Sequence, residues 1–438
     1  MTDLSVLQQD CSPPQEAQSR QRWGLLPARL RRTAYAVPLS AIRPYTLLGM
    51  LLLVVGVAAA APAEDSQITP SRARERRENA TTELRGVWVS DVDSEVMTSR
   101  DNMAALAEQI AELNINTLYP VVWSQGETFY PSDVMVRYGG QRISARYGLG
   151  PSGRDPVADW VALGGRHELD IVPWFEWGLK VPAESHLARQ HPEWLSTDDS
   201  GRTTFDQDGT VTAYLNFMHP DVQRFYEELA VEFVTRYDVP GIQFDDHLSL
   251  KNTFGYDAAT LSRYREETGQ AARPAPGDAD WLAWRAAKLT QFVSRISKAI
   301  KAARPGIELS VSPNPYPWSY KNYVQDWPAW VRGGIVDEVV VQVYRDNLQR
   351  FEGELRSPAL ASLRGQARLA IGVMAGQKPR PVPIGMVGEQ TDVVREAGYD
   401  GAVYFFQESL LRFTAPGETV ESRLEGIRRM LPVLREQP

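Results

Sequence analysis

Residues 83–438 alternate eight times between a short apolar run and a segment with helical spacing, and this alternation constrains the fold most strongly. The eight runs are predicted as strands at 85–93, 116–123, 170–177, 241–247, 308–315, 337–345, 367–376 and 401–409. Helices are predicted at 101–114, 155–168, 219–238, 257–268, 280–303, 321–333, 382–398 and 421–436. Short apolar runs of this kind are typical of parallel strands that are buried on both faces.

Eight strands that alternate with helices over about 350 residues predict an α/β protein with a closed (β/α)8 TIM barrel. A doubly wound open sheet is the alternative, and it usually carries a glycine-rich phosphate turn after its first strand. The residues VSDVDSE (89–95) occupy that place here. The segments after strands two and three, 124–154 and 178–218, are long. We expect them to be loop insertions over the mouth of the barrel.

An uncharged apolar stretch, YTLLGMLLLVVGVAAAAPA (45–63), precedes the predicted barrel. Arginines come before it and small residues close it, which is the layout of a secretory signal peptide. A cleaved signal, an N-terminal membrane anchor and a buried helix are the three interpretations, since the stretch is nearly long enough to span a bilayer. We therefore predict a targeting tail (1–63), a flexible linker (64–82) and a barrel domain (83–438) outside the cytoplasm, either periplasmic or secreted.

Charge and composition exclude several classes of function. Residues 1–63 hold six arginines and three acids, so the rest of the chain carries −11 against a total net charge of −8. An acidic body repels phosphates, and no nucleic acid is expected as a partner. The only cysteine, Cys11, lies in the tail, which excludes a thiol nucleophile or a cysteine metal cluster in the barrel. The five histidines are scattered and form neither HxH nor HExxH, so neither a metal nor another cofactor is expected.

Acidic and aromatic residues follow the predicted strands, at the end where (β/α)8 barrels hold their active sites. The acids there are Asp91, Asp93, Glu127, Glu176, Asp245, Asp246, Asp346 and Glu408. Glycoside hydrolysis needs two carboxyl groups across one bond, one of them protonated and the other ionised. A rim of acids and aromatic rings therefore favours a glycosidase.

The stretch GIQFDDH (241–247) narrows the choice of catalytic acid. Side chains alternate along a strand, so Gln243 and Asp245 share one face and their apolar neighbours share the other. Asp245 should then point into the mouth, as nucleophile or base. Asp246 should point the other way, where it either takes part in catalysis or only holds the loop.

The acid that faces Asp245 is expected on strand three or strand eight, as Glu176 or Glu408. Aromatic neighbours such as Trp174 would raise the pKa of that general acid, although either residue could instead be a structural ion-pair partner. The predicted substrate contacts are Trp88, Trp123, Trp174 and Tyr344 as sugar platforms, His247, Asn314 and Gln342 as ligands of hydroxyl groups, and Asp93.

Several ordered motifs carry a resemblance to a known family. They include LRGVWVSDVDSEV (84–96), GIQFDDH (241–247), SVSPNPYPWSY (310–320) and VVVQVYRDN (339–347), and the similarity covers nearly all of residues 83–437. The chain resembles the glycosyl hydrolase-like family ten of bacterial proteins. This resemblance implies a TIM barrel that acts on glycans, and some relatives look like hydrolases of peptidoglycan strands without stem peptides. It also implies that the FDD motif, with Asp245 and Asp246, is a catalytic position.

The sequence thus predicts a glycoside hydrolase whose substrate is a polysaccharide or a cell-wall glycan. One alternative is an envelope protein that binds carbohydrate without cleaving it, but such a protein would not need several acids at the rim. A metal-dependent hydrolase on the same barrel is the other alternative. The lack of clustered histidines counts against it.

Overall fold

The computed structural model describes residues 83–433 except residue 208. The predicted tail (1–63), with its apolar stretch and its cysteine, and the predicted linker (64–82) lie outside these residues. Within the described part of the chain, no helix has the length and apolar character needed to cross a membrane. The described residues therefore correspond to the predicted barrel domain.

Eight parallel strands form the centre of the fold. They are β1 (Leu84–Val89), β2 (Thr117–Ser124), β3 (Trp174–Phe175), β4 (Gly241–Asp245), β5 (Glu308–Ser312), β6 (Glu338–Gln342), β7 (Arg368–Met374) and β8 (Gly401–Phe405). Each strand pairs with the next along the chain, and β1 pairs with both β2 and β8, which closes the ring. The predicted (β/α)8 barrel is confirmed.

An outer helix follows each strand. These helices are α1 (Arg100–Glu112), α2 (Pro156–His167), α3 (Pro220–Arg236), α4 (Ala279–Ala303), α5 (Trp327–Arg332), α6 (Leu348–Leu355), α7 (Ile384–Glu396) and α8 (Val420–Met430). Further helices lie in the connections, at Asp133–Arg137, Leu149–Ser152, His186–Gln190, Ala258–Thr268, Trp318–Tyr323, Pro358–Ala361 and Gln407–Leu411. The predicted helix at 321–333 is thus two short helices, and α6 was not predicted.

Two insertions lie over the ends of β2 and β3, as expected. The first begins with the short strand Glu127–Thr128, which pairs with the end of β2. The second contains a three-stranded antiparallel sheet of Lys180–Pro182, Thr204–Gln207 and Thr210–Tyr214. These segments follow the carboxyl ends of β2 and β3 directly.

A chain of buried polar side chains crosses the barrel interior. The indole N–H of Trp88 donates to Gln243 Oε1 at 2.7 Å, and Gln243 Nε2 donates to Ser310 Oγ at 2.9 Å. Ser310 in turn donates to Glu338 Oε1 at 2.7 Å. Gln243 therefore faces the interior, and Asp245, two residues further along β4, faces the same side at the mouth.

Candidate active site

Asp245 is the last residue of β4, and only 2% of it is exposed. Its Oδ1 accepts the backbone N–H of His247 at 2.9 Å. Burial raises the pKa of this carboxyl well above its ordinary value, and the nearby charge of Asp246 raises it further. Asp245 is thus a carboxyl group that favours its protonated form.

Asp246 extends across the mouth towards the next two strands. Its Oδ2 accepts a hydrogen bond from Asn314 Nδ2 at 2.9 Å, and its Oδ1 accepts one from Gln342 Nε2 at 3.1 Å. Gln342 ends β6, two strands away from β4, so the carboxylate must lie over the barrel opening. The predicted outward direction of Asp246 is wrong, because β4 ends at Asp245 and the alternation of faces does not continue beyond it.

Glu176 lies immediately after β3, beside Asp245. The register of β3 and β4 pairs Phe175 with Phe244, so the next residue on each strand reaches the same level of the mouth. Glu176 is 8% exposed, and its Oε2 has no hydrogen-bond partner among the described residues. Burial, followed by the charge of Asp91, raises the pKa of Glu176 to about 8. This carboxyl therefore keeps its proton at neutral pH.

Asp91 connects the loop after β1 to the first insertion. Arg146 Nη1 donates to Asp91 Oδ2 at 2.7 Å, while Arg146 Nη2 donates to the carbonyl oxygen of Ser124 at 3.0 Å. Burial raises the pKa of Asp91, and the charge of Arg146 opposes this rise. Asp91 Oδ1 is buried and has no partner in the described part of the chain.

His247 completes the group at the end of β4. Its Nδ1 lies 2.7 Å from the backbone carbonyl oxygen of Glu176, and its Nε2 lies 3.9 Å from Asp246 Oδ2. Burial lowers the pKa of His247 to about 4, although the charge of Asp246 opposes this effect. The imidazole is therefore neutral at neutral pH.

Lys180 belongs to the site but was not predicted from the sequence. It is 2% exposed, and its Nζ donates to Gln207 Oε1 at 2.9 Å. Burial lowers the pKa of Lys180 to about 8, although the negative charges of Asp246 and Asp245 oppose this effect. One signal was present, since Lys180 is the only lysine in residues 1–250. Its place in an insertion strand cannot be derived from the barrel pattern.

Two predicted site residues lie beyond the ends of barrel strands, Glu408 after β8 and Asp93 after β1. Glu408 belongs to the short helix Gln407–Leu411, accepts a hydrogen bond from Ser94 at 3.1 Å and pairs with Arg412 at 3.8 Å. The expectation that it ends a strand is wrong because β8 stops at Phe405. Asp93 pairs with Lys378 at 3.5 Å.

The predicted sugar platforms differ in their exposure. Trp88 and Trp123 are 1% and 0% exposed, and their N–H groups are bonded to Gln243 and to the carbonyl of Gly178. A stacking platform needs an open ring face, so the platform role does not agree with this burial. Trp174 is also buried, whereas Tyr344 is partly exposed and lies 5.5 Å from the ring of Phe405.

Three side chains at the mouth offer possible metal ligands. One atom from each of Asp245, Asp246 and His247 lies within 4.8 Å of the others. However, both oxygens of Asp246 already accept amide hydrogens, one oxygen of Asp245 accepts the backbone N–H of His247, and His247 keeps a free lone pair on Nε2 alone. These contacts favour hydrogen bonding over ligation, and no metal or cofactor is assigned.

Comparison with known sequences identifies the relatives of this chain. A sequence model of the glycosyl hydrolase-like 10 family matches residues 83–393. Glycosyl hydrolase DigH of Escherichia coli K12 is 24% identical over a 342-residue alignment that covers 69% of this chain and 75% of the relative. Glycosyl hydrolase YngK of Bacillus subtilis 168 is 23% identical over 298 residues, which cover 60% of this chain and 54% of that protein. The family resemblance predicted from the motifs is confirmed.

Two solved structures of similar fold show what this barrel resembles. The glycoside hydrolase domain of PgaB (BpsB) from Bordetella bronchiseptica superposes with a TM-score of 0.61 at 15% identity, covering 81% of this chain and all of that domain. The catalytic domain of a β-amylase from Paenibacillus polymyxa superposes with a TM-score of 0.54 at 11% identity, covering 80% of this chain and 97% of that chain. At these identities the comparison establishes the barrel fold alone.

Proposed function

Because this chain belongs to the glycosyl hydrolase-like 10 family, we propose that it hydrolyses glycosidic bonds of a polysaccharide by carboxylate acid/base chemistry at the barrel mouth. Glu176 is the general acid and Asp246 is the general base. Asp245 positions His247 between them, through its hydrogen bond to the backbone of that residue.

One observation carries the proposal. Two carboxyl groups of opposite character lie on neighbouring strand ends: Glu176 has a pKa of about 8, and Asp246 accepts hydrogen bonds on both oxygens. A protonated acid and an acceptor carboxylate are the two groups that glycoside hydrolysis requires. The site therefore combines a carboxyl group that keeps its proton at neutral pH with a carboxylate that two amide donors hold in place.

The roles of the two aspartates follow from their surroundings. The sequence favoured Asp245 as nucleophile or base. However, burial and the charge of Asp246 raise its pKa, which disfavours the ionised form that a nucleophile or a base must have. Asp246, which reaches over the mouth between two amide donors, is better placed to receive a proton from the reacting group.

The reaction balances with these groups alone. Glu176 transfers its proton to the glycosidic oxygen while the bond between that oxygen and the anomeric carbon breaks. A water molecule gives one proton to Asp246, and its oxygen forms the new bond to the anomeric carbon. Glu176 is then ionised and Asp246 protonated, and exchange of one proton with solvent restores both.

We further propose that the protein acts outside the cytoplasm on a cell-wall glycan such as peptidoglycan strands. The predicted export stretch at 45–63 supports this location, either as a cleaved signal or as a membrane anchor. The partly exposed Tyr344 ring and the side chain of Asn314 supply contacts that suit a sugar.

The release of reducing ends from glycan strands without peptides tests the function. Glu176→Gln and Asp246→Asn should each lower kcat by about two to four orders of magnitude, because each removes one proton-transfer group. Glu408→Gln, which alters an acid held by Ser94 at the edge of the site, should leave most of the activity. Full activity in Glu176→Gln, or binding of strands by the wild type without any cleavage, would contradict the proposal.

A further inference from the structure

We infer that His247 and Asp246 form a binding site for a group that donates two hydrogens, and that in hydrolysis this group is the attacking water. The identity of the bound group rests on the proposed function. The geometry of the site does not, since it follows from the hydrogen bonds of the two side chains.

His247 presents an acceptor to the mouth. Its Nδ1 lies 2.7 Å from the carbonyl oxygen of Glu176, and a carbonyl oxygen can only accept, so Nδ1 carries the hydrogen. The neutral ring that burial favours then has a bare lone pair on Nε2. About a quarter of the His247 side chain is exposed, so this lone pair is open to a ligand.

Asp246 presents a second acceptor. Gln342 Nε2 donates to the carbonyl oxygen of Ser312 at 2.7 Å, which fixes this atom as the amide nitrogen. The same nitrogen lies 3.1 Å from Asp246 Oδ1, so that oxygen accepts. Asp246 Oδ2 accepts from Asn314 and is the oxygen that faces His247.

The two acceptors are separated by 3.9 Å between Nε2 and Oδ2, which is too long for a direct hydrogen bond. A gap of this length between polar atoms suits a bridging group. A sugar hydroxyl has one hydrogen and can satisfy only one of the two acceptors. Water and a primary amine each carry at least two hydrogens on one atom, so each can donate to both acceptors.

The charges around the pair favour water over an ammonium group. The buried ammonium of Lys180 is close enough to His247 and Asp246 to act electrostatically on both, and Lys251 acts on His247 with the same sign. A second cation between His247 and Asp246 would be repelled by these lysines, and Lys180 already offsets part of the Asp246 charge that would attract it. A neutral water has no such cost. Its second hydrogen would pass to Asp246 as the oxygen attacks, so the product should have inverted anomeric configuration.

The tautomer of His247 can be measured independently of any activity. In ¹⁵N-histidine-labelled protein at pH 7, the resonances that disappear in His247→Asn should be those of a neutral ring with a protonated Nδ1 and an unprotonated Nε2. A protonated Nε2, in either a neutral or a charged ring, would overturn the inference whether or not the protein cleaves glycans.

Kinetics of the same variant test the role of the bound group. The carboxamide introduced by His247→Asn can still donate to the Glu176 carbonyl, but it lacks the Nε2 acceptor. On N-acetylated strands, His247→Asn should lower kcat by about 100-fold with KM unchanged. His186→Asn, a matched change at a histidine outside the site, should have no effect.

The remaining outcomes separate the two candidate groups and the two proposals. An unchanged kcat, or retention of anomeric configuration by the wild type, would overturn the water site. If His247→Asn raised KM only on strands with free amino groups, the bound group would be an amine, and the water site would be overturned. If the wild type cleaves no glycan, the proposed function fails, while the tautomer measurement still decides the geometry.

Discussion

Arg146 and Asp91 form an ion pair of 2.7 Å that joins the insertion after β2 to the loop after β1. The same guanidinium binds the carbonyl of Ser124, so it fixes three segments around the first two strand ends. Asp91 is also the charge that, after burial, contributes most to the raised pKa of Glu176. The pair therefore links the anchoring of a loop to the protonation of the proposed acid.

Asp91→Asn should shift the basic limb of the pH profile to lower pH. Removing a negative charge near Glu176 makes ionisation of that carboxyl easier, so its pKa should fall from about 8 by about one unit. The measurement is kcat against pH on glycan strands. Asp101→Asn, at an exposed position of α1, is the matched control. An unshifted limb in Asp91→Asn would show that Asp91 does not tune the acid.

Glu176→Gln should stabilise the fold at neutral pH. The carboxyl has a folded pKa of about 8 against an ordinary value of 4.5, so between these values it is ionised in the unfolded chain but protonated in the native protein. Its burial therefore costs stability that grows as pH rises through this range, up to about 3 kcal/mol at pH 7. Below the ordinary value both states are protonated, and the cost disappears.

Urea unfolding of both proteins at pH 4 and pH 7 checks this sign. The variant should gain free energy of unfolding at pH 7 and almost none at pH 4. Glu396→Gln, which changes an exposed glutamate at the end of α7, should gain nothing at either pH. An equal gain for Glu176→Gln at both pH values would mean that ionisation of Glu176 is not the cause.

The barrel could be predicted because each of its strands corresponds to a local pattern in the sequence. Each strand is an apolar run bounded by polar residues, and the pairing of β1 with β8 follows once eight such runs are counted. The inward direction of Asp245 also follows, since Gln243 and Asp245 lie within regular strand where side chains alternate. These features depend on short-range periodicity alone.

The remainder of the site depends on where strands end and on what the loops carry. Asp246 was assigned the wrong direction and Glu408 the wrong element because β4 and β8 are shorter than their apolar runs suggest. Lys180 reaches the mouth through the antiparallel sheet of the second insertion, whose pairing is not encoded in the barrel repeat. Sequence patterns indicate which strand ends carry polar groups, but the loop conformations decide which of these groups meet.

Trp88→Phe should destabilise the barrel without changing KM. The change keeps an aromatic ring but removes the N–H that donates to buried Gln243 Oε1, and an unpaired buried acceptor costs about 1–3 kcal/mol. Denaturant unfolding measures the loss, and Trp318→Phe on a partly exposed helix should cost less. A large rise in KM with unchanged stability would instead support the sugar-platform role predicted for Trp88.

Chelation should leave the activity unchanged. The two aspartates of the group formed by Asp245, Asp246 and His247 accept hydrogen bonds from amide and backbone N–H groups, and these contacts do not require a metal. We expect equal rates before and after dialysis against EDTA, and no stoichiometric zinc or calcium by elemental analysis. Loss of activity that zinc or calcium restores would revive the metal-dependent alternative.

Gln342→Met should lower kcat, whereas an equally destabilising change outside the site should not. The change removes a carboxamide that binds both Asp246 and the carbonyl of Ser312, so the proposed base loses one of its two positioning donors. We expect kcat to fall by about 10- to 100-fold, since misplacement of a catalytic group by about 1 Å has effects of this size.

Gln390→Met is the matched control, because its buried amide likewise donates to a backbone carbonyl, that of Arg345, at 3.0 Å. Both variants should lose about 1–3 kcal/mol of unfolding free energy, measured in urea. Only Gln342→Met should lose turnover, and equal kinetic losses in both would mean that general destabilisation, and not the position of Asp246, controls the rate.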